Sequence, residues 1–125
     1  MKPIRVLLVD DDRDFLAVAQ YDLKSLPRVS VVGCAMSGDE AVKVAPLLKP
    51  DVVLMDIDMP GMNGIEATRA LKALDGAPKV LAQSFLDPSA AQDLGKLTGA
   101  DGYVYKGDFV AQVNVALDAL FGAGA

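Results

Sequence analysis

The sequence predicts an α/β fold in which five β-strands alternate with five α-helices, giving a parallel sheet covered by helices on both faces. Three observations point there. Five short apolar runs recur along the chain, Val-rich and mostly continuous rather than alternating, as in strands buried on both faces. The stretches between them carry apolar residues at helical spacing. Capping and breaking residues fall at the joints between the two patterns.

Taken in order, the strands are IRVLLV (4–9), VSVV (29–32), VVLM (52–55), KVLA (79–82) and GYVYK (102–106). The first helix aligns Phe15, Ala19, Leu23 and Leu26 on one face, and Pro27 follows it. The second aligns Ala41, Val44, Ala45 and Leu48. Ser37 with Glu40 forms a capping box at its start, and Pro50 follows it. The third carries Ala67, Leu71 and Leu74 and stops near Gly76. The fourth carries Ala90, Leu94 and Leu97. It opens on Asp87-Pro88, a capping acid before a favoured first helical residue, and stops near Gly99. The fifth, with Val110, Val113, Leu117 and Leu120, is capped by Asp108.

At 125 residues the chain suits one domain, placed at 3–121, with GAGA (122–125) as a flexible tail or truncated linker. A net charge of −5 argues against non-specific binding to nucleic acid or anionic lipid, both of which want a basic face. The absence of His and the single Cys34, read as a buried inert thiol, exclude histidine triads, zincin motifs, structural Cys/His zinc sites and an intramolecular disulfide. No signal-peptide pattern and no span-length apolar stretch is present, so a cytoplasmic setting is expected.

The chemistry left is that of carboxylates, hydroxyls, Lys and hard cations. In a parallel sheet of this kind ligands bind beyond the carboxyl ends of the strands, where strand order reverses. There the first strand runs into Asp10, Asp11 and Asp12, the third into Asp56, the fourth into Gln83 and Ser84, and the fifth into Lys106. Two carboxylates ~4 Å apart repel by about 4 kcal/mol at an effective dielectric of ~20, so clustered acids call for positive charge. An all-oxygen pocket suits Mg²⁺, Lys106 adds an ammonium, and a carboxylate so flanked can serve as a nucleophile toward phosphorus. Asp12 and Asp14 are read instead as charging and capping the first helix, and Asp51 as a turn residue.

The motifs VLLVDDD (6–12), PDVVLMDIDMPGMNGIEATRALK (50–72), PKVLAQS (78–84) and GADGYVYK (99–106) together resemble the receiver domain of bacterial two-component response regulators, over about residues 3–121. The resemblance implies a flavodoxin-like (βα)5 three-layer sandwich with strand order 2-1-3-4-5. It implies Asp56 as phosphoacceptor, and Mg²⁺ held by Asp10, Asp11, Asp56 and the backbone carbonyl of Asp58. Ser84 corresponds to the hydroxyl that turns toward the phosphoryl group, Tyr103 to the aromatic switch, and Lys106 to the phosphate-contacting lysine. The implied partners are a histidine kinase or phosphotransfer protein as donor, and an output partner or downstream DNA-binding domain. The implied output face combines the fourth and fifth helices with the fifth strand, and homodimerisation through it is compatible. The domain would not be an enzyme beyond self-catalysed phosphotransfer and autodephosphorylation.

The chain departs from the family pattern at three places. Phe85 follows Ser84 where relatives usually carry a small residue, and this keeps open a pseudo-receiver that binds partners without being switched by phosphate. Gln83 places a polar side chain at the end of an apolar strand. Gly107 stands after Lys106 where many relatives have Pro. A third reading, an aspartyl-nucleophile phosphatase built on Asp56-Ile57-Asp58, fits poorly because Met59-Pro60 comes next where a small hydroxyl residue belongs.

Overall fold

β1 (Ile4–Val9) and β3 (Val52–Asp56) occupy the middle of the sheet, and their composition explains why: Val6–Val9 and Val52–Asp56 are buried without interruption. Flanking them are β2 (Val29–Ala35), β4 (Lys79–Ser84) and β5 (Gly102–Tyr105). The five pair in parallel in the order β2-β1-β3-β4-β5. This computed structural model describes residues 2–58, 64–86, 89 and 99–123. Among them the helices are α1 (Arg13–Leu23), α2 (Gly38–Leu48), α3 (Gly64–Lys72) and α4 (Phe109–Phe121). α4 is the fifth helix of the predicted order; the predicted fourth, with Asp87, Pro88, Ala90, Leu94 and Leu97, lies outside the described residues.

Side-chain alternation along the central strands divides the core in two. Val6, Leu8, Val52, Leu54 and Leu81 pack against α1 and α4, meeting Leu16, Ala19, Leu23, Val113 and Leu117. Leu7, Val9, Val53, Met55 and Val80 pack on the other face against Ala41 and Ala45 of α2 and Ala67 and Leu71 of α3. Each fully buried Leu or Val contributes on the order of 1.5–3 kcal/mol. The edge strands are less covered: β2 is half-buried along most of its length, and Cys34 within it is half-buried rather than buried.

The joints follow the capping chemistry at α1 and α2 and depart from it at α4. The Asp12 carboxylate accepts from the N–H groups of Asp14 (3.0 Å) and Phe15 (3.2 Å), which starts α1. Ser37 Oγ accepts from Glu40 N at 3.1 Å, and Glu40 reaches back to the N–H of Met36. Asp108 precedes α4 but makes no side-chain capping bond; the chain enters that helix through a 3₁₀ turn, Lys106–Asp108, which supplies local hydrogen bonding. Lys106 therefore begins a turn instead of ending β5, which frees its side chain from the sheet's alternation. On α1 the buried stripe is Leu16, Ala19 and Leu23, with Phe15 only half-buried. β2 runs on to Ala35 because its parallel pairing to β1 continues through small residues, and β4 runs on to Ser84 because Gln83 pairs with Asp56 of β3 and Ser84 with Tyr105 of β5.

Candidate functional site

β1 and β3 are direct neighbours, with Val9 opposite Met55, so the residues after them emerge side by side at the carboxyl edge of the sheet. Asp10 continues the α1/α4-facing series of Val6 and Leu8, and Asp56 that of Val52 and Leu54. Both acids are nearly inaccessible, at 1% and 3% exposure. The exposed carboxylate of Asp11 joins them, and one oxygen from each of the three lies within 4.8 Å of the other two.

Each buried acid divides its two oxygens in the same way. Asp10 Oδ1 accepts the N–H of Asp12 at 2.9 Å, and Asp56 Oδ1 accepts the N–H of Asp58 at 2.9 Å. The other oxygens meet the Lys106 ammonium, Asp10 Oδ2 at 2.6 Å and Asp56 Oδ2 at 3.1 Å. Burial pushes the Asp56 carboxyl up to about 6, and the neighbouring charge of Asp10 adds to this; the Asp58 N–H and Lys106 pull against it without prevailing. For Lys106 burial opposes the charge, but the hydrogen bond to Asp10 and the charges of both acids outweigh it, and the ammonium's pKa is raised. Three carboxylates against one ammonium leave two negative charges in excess. With these oxygens no more than 4.8 Å apart and an effective dielectric of ~20, each carboxylate pair repels by at least roughly 3 kcal/mol. A cluster of oxygen donors with surplus negative charge and one open, exposed side fits a hard divalent cation.

Beside this cluster runs a chain of hydroxyls. Ser84, at the end of β4, is buried; its Oγ donates to Asp58 Oδ2 at 2.9 Å and accepts the N–H of Leu86 at 3.0 Å. The Tyr103 hydroxyl, from β5, lies 2.6 Å from the Leu86 carbonyl and 3.1 Å from that of Ser84. Ser84, Asp58 and Tyr103 thus form one connected group, joined to the acid cluster through the Asp58 N–H. Gln83 is wholly buried; its Nε2 reaches the Val9 carbonyl at 3.4 Å while its Oε1 has no partner among the described residues.

Three residues play parts here that sequence reasoning did not assign. Gly64 opens α3 against the backbone after β3: a Cβ there would run into the Asp56 carbonyl oxygen and come 2.6 Å from Ile57 Cα. The Gly64 carbonyl accepts the buried Thr68 hydroxyl at 2.6 Å, which holds that close approach. Gly64 is a usable signal in the sequence, since a helix starting on Gly beside a strand end indicates backbone contact. Phe15 stacks edge-on against Phe109 and brings its ring 4.6 Å from Lys106 Nζ. No periodicity distinguishes that role from core packing. Gly107 leaves room for the Tyr105 ring, which a Cβ would meet at 2.5 Å.

Comparison with known proteins shows the family and the fold. The model of the response regulator receiver domain family matches residues 6–114. The response regulator GacA of Pseudomonas viridiflava is 40% identical over 118 residues, covering 94% of this chain and 55% of that protein. The response regulator domain of Thermotoga maritima CheB is 35% identical with a TM-score of 0.75, covering 95% of this chain and 92% of that one. A LuxR-family two-component response regulator from Aurantimonas sp. SI85-9A1 is 33% identical with a TM-score of 0.84, covering 95% and 85%. The chain spans about half the length, or less, of the curated relatives it matches. Among the described residues no helix is long and apolar enough to cross a membrane.

Proposed function

The chain belongs to the response regulator receiver domain family of two-component signalling, and on that premise we propose that it is a switch thrown by phosphorylation of Asp56. The observation that carries the reading is the bridging of Asp10 and Asp56 by one buried ammonium, with Asp11 closing the cluster on its exposed side.

In this reading a phosphohistidine of a histidine kinase or phosphotransfer protein supplies the phosphoryl group. An Asp56 carboxylate oxygen attacks phosphorus; the new P–O bond forms as the P–N bond breaks, and the imidazole nitrogen leaves with the bonding pair. Asp10, Asp11, Asp56 and the Asp58 backbone carbonyl would hold Mg²⁺. When bound, Mg²⁺ neutralises the surplus charge of the acids and of the transferring phosphoryl oxygens. Lys106 keeps an ammonium within reach of those oxygens. The Ser84 hydroxyl gives up Asp58 for a phosphoryl oxygen, and Tyr103, bonded to the same β4 end, moves with it. That movement alters the face built on β5 and α4, where an output partner or a second copy would read it. The chain itself would turn over no substrate beyond its own phosphorylation and dephosphorylation.

Amide NMR spectra with Mg²⁺ and then beryllofluoride, a phosphoryl mimic, test this reading. Shifts at Asp56, Ser84 and Tyr103 are expected on adding the mimic. A spectrum that does not respond would favour the pseudo-receiver reading that Phe85 motivates.

A further inference from the structure

Lys106 leaves β5 at the edge of the sheet, yet its ammonium meets carboxylates at the ends of β1 and β3, with β4 lying between. A flexible four-carbon stem held across that distance loses much rotamer freedom, so its course must be walled. Two phenyl rings stand beside the ammonium at the end of that course. Phe15, from the first turn of α1, places its centroid 4.6 Å from Nζ, and Phe85, just beyond β4, places its own at 5.4 Å. Both lie within the ~6 Å over which a ring face attracts a cation. With Asp10 and Asp56 accepting from the ammonium and the rings beside it, the Lys106 side chain is only 6% exposed. The two walls differ in kind. Phe15 is fixed by its edge-on contact with Phe109, ring centroids 5.3 Å apart. Phe85 is 66% exposed, an arrangement core packing does not explain and contact with a cation does.

We propose that Phe15 and Phe85 clamp the Lys106 ammonium against Asp10 and Asp56, which makes both rings positioning residues for phosphoryl transfer. The kinetic consequence rests on the proposed role of Asp56; the clamp itself does not. A bulky residue after Ser84 is then a support for the lysine and not a barrier in front of the acid.

The test has two arms. In NMR of lysine-labelled, unphosphorylated protein, the Lys106 ε-methylene signals are expected upfield of ordinary lysine positions, displaced by the ring current. Phe85→Leu moves them toward ordinary positions, and Phe85→Tyr leaves them in place. In the second arm, with Mg²⁺ and acetyl phosphate as donor, Phe85→Leu lowers the maximal phosphorylation rate roughly two- to fivefold. The half-saturating Mg²⁺ concentration stays unchanged, and Phe85→Tyr restores the rate. Phe85 is exposed, so its variants fold; Phe15→Leu is a secondary check. Unmoved ε-methylene signals in Phe85→Leu overturn the clamp, and so does faster phosphorylation of that variant, the mark of a gate. If wild type accepts no phosphoryl group, the proposed function falls while the NMR arm still decides the clamp.

Discussion

The Ser84 hydroxyl is committed to Asp58: Oγ donates to Oδ2 at 2.9 Å while accepting the N–H of Leu86. Any role for Ser84 toward a group on Asp56 requires that this bond break first, so Asp58 holds the hydroxyl in its resting place.

Removing that hold should favour the switched state. A hydrogen bond to a charged group contributes about 1.5–3 kcal/mol. Asp58→Ala keeps the backbone carbonyl and N–H and should tighten beryllofluoride binding by up to roughly tenfold, measured by titration with Mg²⁺ present. Most of the gain should vanish in a Ser84→Ala background. An equal gain in both backgrounds would assign the effect to lost negative charge alone.

Asp56 is held at a cost that depends on pH. Its folded pKa, about 6, lies above the usual 3.8, so the folded protein binds the extra proton between those values. The associated stability is fully present below pH ~4 and is lost as pH rises through ~6. Asp56→Asn should therefore be more stable than wild type at pH 7, by on the order of 1–3 kcal/mol. In urea melts across pH 4–7 the advantage should shrink toward the acid end, and an advantage constant with pH would contradict this.

Gly64 fixes where the β3 end lies. Gly64→Ala sets a methyl group against the Asp56 carbonyl and Ile57 Cα, backbone that cannot rotate aside. A stability loss of about 1–3 kcal/mol is expected, together with weakened Mg²⁺ binding in a fluorescence or calorimetric titration. Unchanged stability and binding would show that the approach relaxes freely.

Asp101 secures the opposite end of the sheet. Its Oδ2 accepts from the buried Val80 N–H at 2.8 Å and from Lys72 Nζ at 2.9 Å. Although burial opposes it, these two partners with Lys79 hold the carboxyl below its ordinary pKa. The contribution is therefore present above the unfolded pKa of ~4 and disappears as pH falls through the lower folded value. Asp101→Ala should cost about 1–2 kcal/mol at pH 7 in chemical denaturation, with a smaller difference near pH 3.

Much of this arrangement was legible in the residues, for identifiable reasons. Strand β1 begins and ends where the apolar run does, and the order of apolar runs and capping signals matches the observed elements from β1 through α3. The convergence of Asp10, Asp11, Asp56 and Lys106 obeys one rule, that parallel strands deliver the residues at their carboxyl ends to a common edge. The features that stayed hidden depend on side-chain paths across that edge. Phe15 reads as a core residue because a ring on a helix face looks the same whether it meets a leucine or an ammonium. The continuation of β4 through Gln83 and Ser84 was masked by polarity, although Gln83 finds the Val9 carbonyl. Asp108 looked like a capping acid because the 3₁₀ turn that replaces its function has no signature of its own in Lys106-Gly107.

The most direct test is the intact mass of the protein after incubation with Mg²⁺ and acetyl phosphate. The account predicts a gain of one phosphoryl group in wild type, none in Asp56→Asn, and none in wild type once Mg²⁺ is chelated. No gain in wild type, or a gain that survives Asp56→Asn, would contradict it.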